Sequence, residues 1–407
     1  MSLTASQVLS MMETMAQNGT APEEGCSLFG VGYNTAFEQL RTRVIHQQFQ
    51  RGRSTEKFVV GPFGSGKSHF LHQLFELAHE ENCVTAKVTL NKNVDFTRYM
   101  LVFREMTHEI RAPHSHRHGI RALIQEAVAF KRMQVPDNPT ASELLLRGWI
   151  SALTDFDYKW SIYGQMLRSA CIACVEEQED RFELLCRWLG GEMDNPEIVR
   201  TLKAPKITNA EANMTALRSL HTLAQFVRQT GWKGTVVGFD EAEQGFNVDT
   251  RKKQRILSML MADINATNSL QNGSLMMVYA LTPDIVKDFD SFPALQQRVQ
   301  HPGADFFDGN AWAPLIDLQR RPDRENELVE ISTRLVNLMY LHWAKDMDYP
   351  EEEAITLAQT IACRLASEDL SSSVRRTLVK EICTMLISAY DSGYIYAAEG
   401  QKIEAEV

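Results

Sequence analysis

The eight residues Gly61-Pro62-Phe63-Gly64-Ser65-Gly66-Lys67-Ser68 constrain this chain more than any others, because they fit the pattern G-x-x-x-x-G-K-[ST] in full. What flanks them narrows the fold further. Lys57 to Gly61 is a short run with β-branched residues and reads as a strand. Ser68 to Glu81 carries Phe70, Leu71, Leu74, Phe75 and Leu77 at helical spacing, and Cys83 to Leu90 alternates Val84, Ala86, Val88 and Leu90 as a second strand. Strand, glycine turn, helix and strand in that order make a βαβ unit, so the chain is expected to be α/β with a parallel sheet.

Each position of the run has a chemical reason. Glycine lets the backbone come close enough for its N–H groups to hold β- and γ-phosphates, and the following helix offers its positive end. Lys67 supplies a point charge for the β/γ oxygens, and Ser68 Oγ is a candidate Mg²⁺ ligand. Gly61, Pro62, Phe63, Gly64, Ser65, Gly66, Lys67, Ser68 and His69 are therefore the expected nucleotide-binding set, with ATP and Mg²⁺ as the ligands. Hydrolysis requires more than binding. Thr235-Val236-Val237-Gly238-Phe239-Asp240-Glu241 is a hydrophobic strand ending in two carboxylates. Asp240 is expected to hold Mg²⁺, through water, and Glu241 to polarise the attacking water; the competing reading is a buried strand followed by a solvated acidic turn.

Other positions carry less information. Thr282 follows the apolar strand Leu275 to Leu281, where it suits either a γ-phosphate contact or a helix cap. Arg298 and Arg375 are candidate cations for transition-state charge, Arg298 toward a neighbouring subunit and Arg375 from the C-terminal helices, against the alternative of surface salt bridges. Gly32 and Tyr33 are placed near the base. The His114, His116 and His118 stretch reads first as an exposed interhelical loop, and Cys171 with Cys174 as core cysteines at helical spacing.

Composition limits the remaining classes. Hydrophobic residues at 44% and charged residues at 23% describe an ordinary globular chain of 407 residues, long enough for two or three domains. The longest apolar run, Ser274 to Leu281, is too short to span a membrane, and the N-terminus carries no export signal, so a cytoplasmic location is expected. A net charge of −10 disfavours a surface that binds nucleic acid throughout, although Arg98, Arg104, Arg111, Arg117 and Arg121 form a local basic excess. The expected organisation is an N-terminal helical lead-in over residues 1–55, a nucleotide core over 56–320 with a helical insertion at about 95–230, and a C-terminal helical lid over 321–407.

At this level the chain resembles the additional-strand, glutamate-using branch of P-loop proteins, in particular AAA+ ATPases of the origin-recognition type. Within that branch it is most similar to the ATP-binding proteins of BREX-type bacteriophage-defence islands. The likeness rests on Phe58 to Leu71, Arg187-Trp188-Leu189-Gly190-Gly191, Gly231-Trp232-Lys233-Gly234, Phe239-Asp240-Glu241-Ala242-Glu243 and Ser373-Val374-Arg375-Arg376, and extends from about residue 26 to 390. Ala242 stands where an aliphatic residue is usual and Val374 where proline is common. The resemblance implies antiviral defence in prokaryotes, a DNA-linked process, partner proteins of the same defence system, and assembly into a ring or filament, so a homo-oligomer is expected. Three functional classes stay open: an ATP-hydrolysing motor or switch, a nucleotide-gated scaffold with slow turnover, and a P-loop kinase.

Overall fold

The computed structural model describes residues 3–91, 93–94, 96–246, 249–299, 303–319, 324–347, 349–368, 371, 373–392, 395–396 and 402–403. Among them, β1 (Thr55–Val60), β2 (Cys83–Thr89), β3 (Gly234–Asp240), β4 (Leu275–Leu281) and β5 (Leu315–Asp317) form one parallel sheet in the order β2-β3-β4-β1-β5. Every residue of β3 and β4 is buried, as expected for strands covered on both faces. Cys83 to Thr89 lie opposite Gly234 to Asp240, and Thr235 to Phe239 opposite Leu275 to Tyr279. β4 thus stands between β1 and β3, the place of the extra strand that the resemblance to the additional-strand branch implies. Because the strands are parallel, β1, β3 and β4 all finish at one edge of the sheet, the edge where such folds bind ligands.

The chain divides into two compact units that do not follow it in linear blocks. One comprises Glu38–Val59 and Leu77–Ile316; the other comprises Met1–Phe37, Val60–Glu76 and Asp317–Val407.

The first of these holds the sheet and the helical excursion between β2 and β3. Seven α-helices among the described residues run from Tyr99–Glu109 to Ala212–Thr230. Trp160, Tyr163 and Trp188 cluster at their centre, with ring centroids 5.8–6.0 Å apart, and Tyr163 Oη donates to the Leu189 carbonyl at 2.8 Å. Helix Ala212–Thr230 buries most of its length against Tyr99–Glu109 and β3.

Polar groups are also built into this core. Asp263 Oδ2 accepts hydrogen bonds from Tyr99 (3.0 Å) and Tyr279 (2.7 Å), while Oδ1 has no partner among the described residues. Burial pushes Asp263 up to about 6 and Glu56 up to about 9, the nearby Asp263 charge adding to the Glu56 shift. Lys57, on the opposite face of β1, donates to the carbonyls of Ala311 (2.7 Å) and Ala313 (2.8 Å), and burial brings its pKa down to about 7.

The sequence reads as an amphipathic helical stretch from Ala36 to Phe49. The structure instead continues the α-helix Asn34–Gln39 as a π-helical stretch, Leu40–Phe49. Its buried residues are Leu40, Val44, Ile45, Gln48 and Phe49, a set that the wider turn of a π-helix keeps on one face.

Among its described residues the second unit is mainly helical, with the glycine-rich turn and a short antiparallel pair, Ile395–Tyr396 with Lys402–Ile403, besides. Helices Ala5–Asn18, Arg324–Trp343, Glu351–Glu368 and Val374–Ser392 share an apolar core that includes Met12, Met15, Leu335, Met339, Leu378 and Leu386. Thr4 and Gln7 close a capping box at the first helix, and Gly19 ends it in a left-handed conformation.

Candidate functional site

The turn after β1 has the shape its sequence requires. Gly64 and Gly66 take φ values of +78° and +94°, a region that costs any residue with a Cβ about 1–2 kcal/mol. Gly61 is restricted by space instead: a Cβ there would fall 2.2 Å from Ser65 Oγ. The Lys67–Glu80 helix begins inside the motif, and Phe70 N donates to Gly66 O at 2.9 Å. Lys67, 7% exposed, turns its Nζ onto the carbonyls of Gly61 (3.0 Å) and Pro62 (3.3 Å), 5.2 Å from the centre of the exposed Phe63 ring. Ser65 Oγ is buried without a hydrogen-bond partner among the described residues. A cradle lined by glycine, a helix N-terminus, a buried ammonium and a spare hydroxyl fit a polyphosphate.

The other acidic element lies in the sheet unit. β3 delivers Asp240 buried, 5% exposed, with Oδ2 3.9 Å from Lys87 Nζ. Glu241, the next residue, is exposed and has φ +51°, a left-handed conformation unusual for glutamate. Its N–H donates to Asp240 Oδ1 at 3.0 Å, and its Oε2 accepts from Gln244 Nε2 at 2.5 Å. Strain of this kind persists where surrounding structure enforces it, commonly at functional sites. Ser68 and Asp240 supply hard oxygen donors of the kind Mg²⁺ takes. That ion keeps water and phosphate oxygens in its shell, so it needs no protein cage, and the described residues contain no cluster of three or more His, Cys, Asp or Glu suited to hold a metal.

Back in the helical unit, the segment before the sheet reaches the phosphate turn. Tyr33 Oη lies 3.0 Å from the position a Cβ on Gly66 would take. The Tyr33 ring stacks on His69 (6.2 Å) and meets Phe70 edge-on (5.2 Å), and Phe29 packs edge-on against His69 (4.9 Å). Arg375 makes a two-pronged ion pair with Glu327, Nε to Oε1 at 2.9 Å and Nη2 to Oε2 at 2.7 Å. Burial opposes the guanidinium charge, but the hydrogen bonds and charge of Glu327, with Tyr33 beside it, outweigh that and hold its pKa above the ordinary value.

The family model for the BREX system ATP-binding protein BrxC/D matches residues 7–396. This chain belongs to that family. No curated protein and no solved structure matches it significantly. BrxC/D membership makes the chain an ATP-binding protein of a phage-defence system, and the glycine turn is the element of this BREX protein whose geometry fits a nucleotide.

The remaining candidates of the BrxC/D chain are scattered more widely. Thr282 occupies the N-cap position of helix Pro283–Asp288, yet its side chain makes no cap hydrogen bond, so capping does not account for the hydroxyl. Arg298 is exposed, its Nε donating to Asn265 Oδ1 (2.8 Å) and its Nη1 to Ala294 O (3.0 Å). The arginines of the basic stretch are largely neutralised. Arg104 pairs with Asp194, Arg117 with Glu126, and Arg121 with Glu179 and Glu183. Arg111 joins the edge of β2 through backbone hydrogen bonds with Thr85, and His118 bridges to Arg111, so the histidine stretch forms a border to the sheet. Cys171 is buried and its thiol pKa is pushed up by burial, as a core residue's would be. No helix among the described residues is long and apolar enough to cross a membrane.

Two groups near these elements escape a sequence reading. Glu327 lies in a first helical turn with Glu325, where acidic residues are common for dipole reasons, and nothing nearby in sequence points to Arg375. Lys87 does leave a trace, as a lysine set among the alternating apolar residues of β2.

Proposed function

We propose that this chain is an Mg²⁺-dependent ATPase whose turnover drives a conformational or assembly switch in BREX defence. The observation that carries the proposal is the pair of strand ends: β1 leads into a glycine cradle with a buried lysine, and β3 leads into a buried aspartate followed by a strained glutamate. In this reading the backbone N–H groups of Gly61 to Ser68 and Lys67 Nζ bind the β- and γ-phosphates. Ser68 and, through water, Asp240 would hold Mg²⁺, which would neutralise charge on the phosphates. Glu241 accepts a proton as the water oxygen bonds to the γ-phosphorus, and the bond from that phosphorus to the β–γ bridging oxygen breaks, leaving ADP and phosphate. Thr282 orients the water or the γ-phosphate, and Arg375 adds positive charge from the C-terminal helices. A glutamate directly after the aspartate suits water as acceptor, which favours hydrolysis over transfer to a small molecule.

Arg298 is assigned to a neighbouring copy's nucleotide, so ATP promotes homo-oligomers, and other proteins of the defence system and DNA are the further partners. With Arg104, Arg117 and Arg121 already paired, DNA contact is assigned to surfaces formed on assembly, sensitive to salt.

Phosphate release without an added acceptor tests the reading. Lys67→Ala should lose ATP binding, whereas Glu241→Gln should keep it and hydrolyse roughly 10²-fold more slowly or less still. Normal ATP affinity in folded Lys67→Ala protein overturns the cradle assignment, and normal turnover in Glu241→Gln moves the base elsewhere. Mixing Arg298→Ala with Lys67→Ala protein should restore part of the activity if the arginine acts between copies.

A further inference from the structure

The Glu327–Arg375 pair lacks an adequate explanation as a stabiliser. Both side chains are largely withdrawn from water, 6% and 19% exposed, and desolvating two charges offsets most of what their attraction returns. What the two-pronged geometry does provide is direction. Nε and Nη2 are fixed on the carboxylate, so the plane of the guanidinium is set. Nη1 makes no hydrogen bond to a protein group among the described residues. Tyr33 lies within electrostatic reach of Arg375, and its hydroxyl rests against Gly66 of the phosphate turn.

The same helix that carries Glu327 holds the Tyr33 segment from its other end. Arg334 Nη1 donates to Gly30 O at 2.6 Å, and Gly30 is pressed so closely on the motif helix that a Cβ there would fall 2.4 Å from Gln73 Oε1 and 2.8 Å from His69 Nε2. Glu327, Arg375, Arg334, Gly30, Tyr33 and Gly66 all belong to a single compact unit.

We propose that Glu327 and Tyr33 are positioning residues for Arg375, holding its guanidinium at the phosphate turn so that the C-terminal helices distinguish ATP from ADP. This rests on the reading of Gly61 to Ser68 as the nucleotide cradle. Glu327 acts through the arginine, and Tyr33 transmits the arrangement to the turn. The γ-phosphate is the ligand group that Nη1 would take, since a charge-assisted hydrogen bond to it exists with ATP and not with ADP.

The experiment measures equilibrium binding of ATP and of ADP by full-length protein and compares the ratio of the two affinities. Arg375→Ala should lower the preference for ATP by about tenfold or more, the worth of one hydrogen bond to a charged group. Glu327→Gln should lower it by roughly threefold to tenfold, Glu327→Asp should recover part of the loss, and Glu327→Gln combined with Arg375→Ala should match Arg375→Ala alone. A purely structural ion pair predicts the opposite pattern: Glu327→Gln would lower the melting temperature and leave the ratio unchanged, which overturns the proposal. Additive losses in the double variant overturn it too. Should Glu327→Gln fail to fold, Tyr33→Phe removes only a hydroxyl and must still reduce the ratio, and an unchanged ratio there is equally fatal. Lys67→Ala separates the two readings. Loss of both nucleotides in Lys67→Ala with an unaltered ratio in the Arg375 series defeats this inference alone, whereas retained binding in Lys67→Ala defeats the cradle itself.

Discussion

The turn after β1 and the turn after β3 are both sharp exits from a buried strand, yet they are made by opposite means. The first is built from residues that favour its shape: Gly64 and Gly66 adopt left-handed backbone at little cost, and Gly61 makes room for Ser65. The second is imposed on a residue that resists it, with Glu241 at φ +51° while its side chain stays exposed. A binding loop that must present N–H groups gains from having no side chains in the way. A residue that must present a carboxylate cannot be glycine, so there the backbone carries strain, and the neighbouring β3 core and the Asp240 hydrogen bond hold it in place.

That contrast is open to test. Gly66→Val should be the more drastic change, because it puts a β-branched residue at φ +94° with its Cβ 3.0 Å from Tyr33 Oη. Conformational strain and crowding of about 3 kcal/mol together correspond to roughly a 10²-fold loss of ATP affinity. Titration of the folded variant with ATP checks this, and near-normal affinity would mean that the glycine is not needed for its conformation.

Of intermediate size is a change in the sheet that supports β3, where Phe239 stacks on Tyr279 at 4.8 Å and Tyr279 donates to Asp263. Burial raises the Glu56 pKa from 4.5 to about 9, so the native state holds this proton more tightly than the unfolded chain does. The stability contributed by protonated Glu56 is therefore complete below about pH 4.5 and is lost as pH rises toward about 9. Glu56→Gln cannot ionise. Its melting temperature relative to the parent should climb from pH 5 to pH 9, by several degrees (~2–4 °C per kcal/mol), as followed by thermal unfolding in a pH series. A constant difference across that range would remove Glu56 as the titrating group.

The smallest effect concerns Glu241 itself. Glu241→Gly should unfold at higher denaturant than Glu241→Ala, by roughly 0.5–1 kcal/mol, because glycine accepts the left-handed backbone that alanine resists. Both should be inactive in hydrolysis under the proposed mechanism. Equal stability would show that the turn relaxes once the glutamate is gone.

The two turns also differ in how far sequence alone reveals them. The cradle, β2, β3 and β4 are legible because each depends on neighbours in the chain: glycines at fixed offsets, alternation in Cys83 to Leu90, and unbroken apolar runs in Gly234 to Phe239 and Leu275 to Leu281. The apolar spacing of Leu328 to Trp343, Glu352 to Ala366 and Ser371 to Tyr390 reads as three helices, which the structure has at Arg324–Trp343, Glu351–Glu368 and Val374–Ser392, since apolar spacing marks a helix better than it marks its ends. Contacts between distant segments leave no such trace. Glu327 and Arg375 are 48 positions apart and each looks like a solvated charge on its own helix. The π-helical turn of Leu40–Phe49 is hidden for a related reason: its residues also satisfy a helical pattern, and only packing selects the wider period. Arg104, Arg117 and Arg121 form a basic excess in the sequence because their carboxylate partners include residues as distant as Asp194.

The unit that carries the cradle is drawn from both ends of the chain, with Val60–Glu76 grouped with Met1–Phe37 and Asp317–Val407. This fixes an order of events during synthesis. A ribosome adding about 5–20 residues per second finishes the motif and then takes roughly 10–50 s to make residues 77–316 before the last segment begins to emerge. Over that interval the nascent chain contains every residue of the phosphate turn but not the Asp317–Val407 stretch with which the turn is grouped. A message truncated after β4 therefore encodes an intact motif in an incomplete unit.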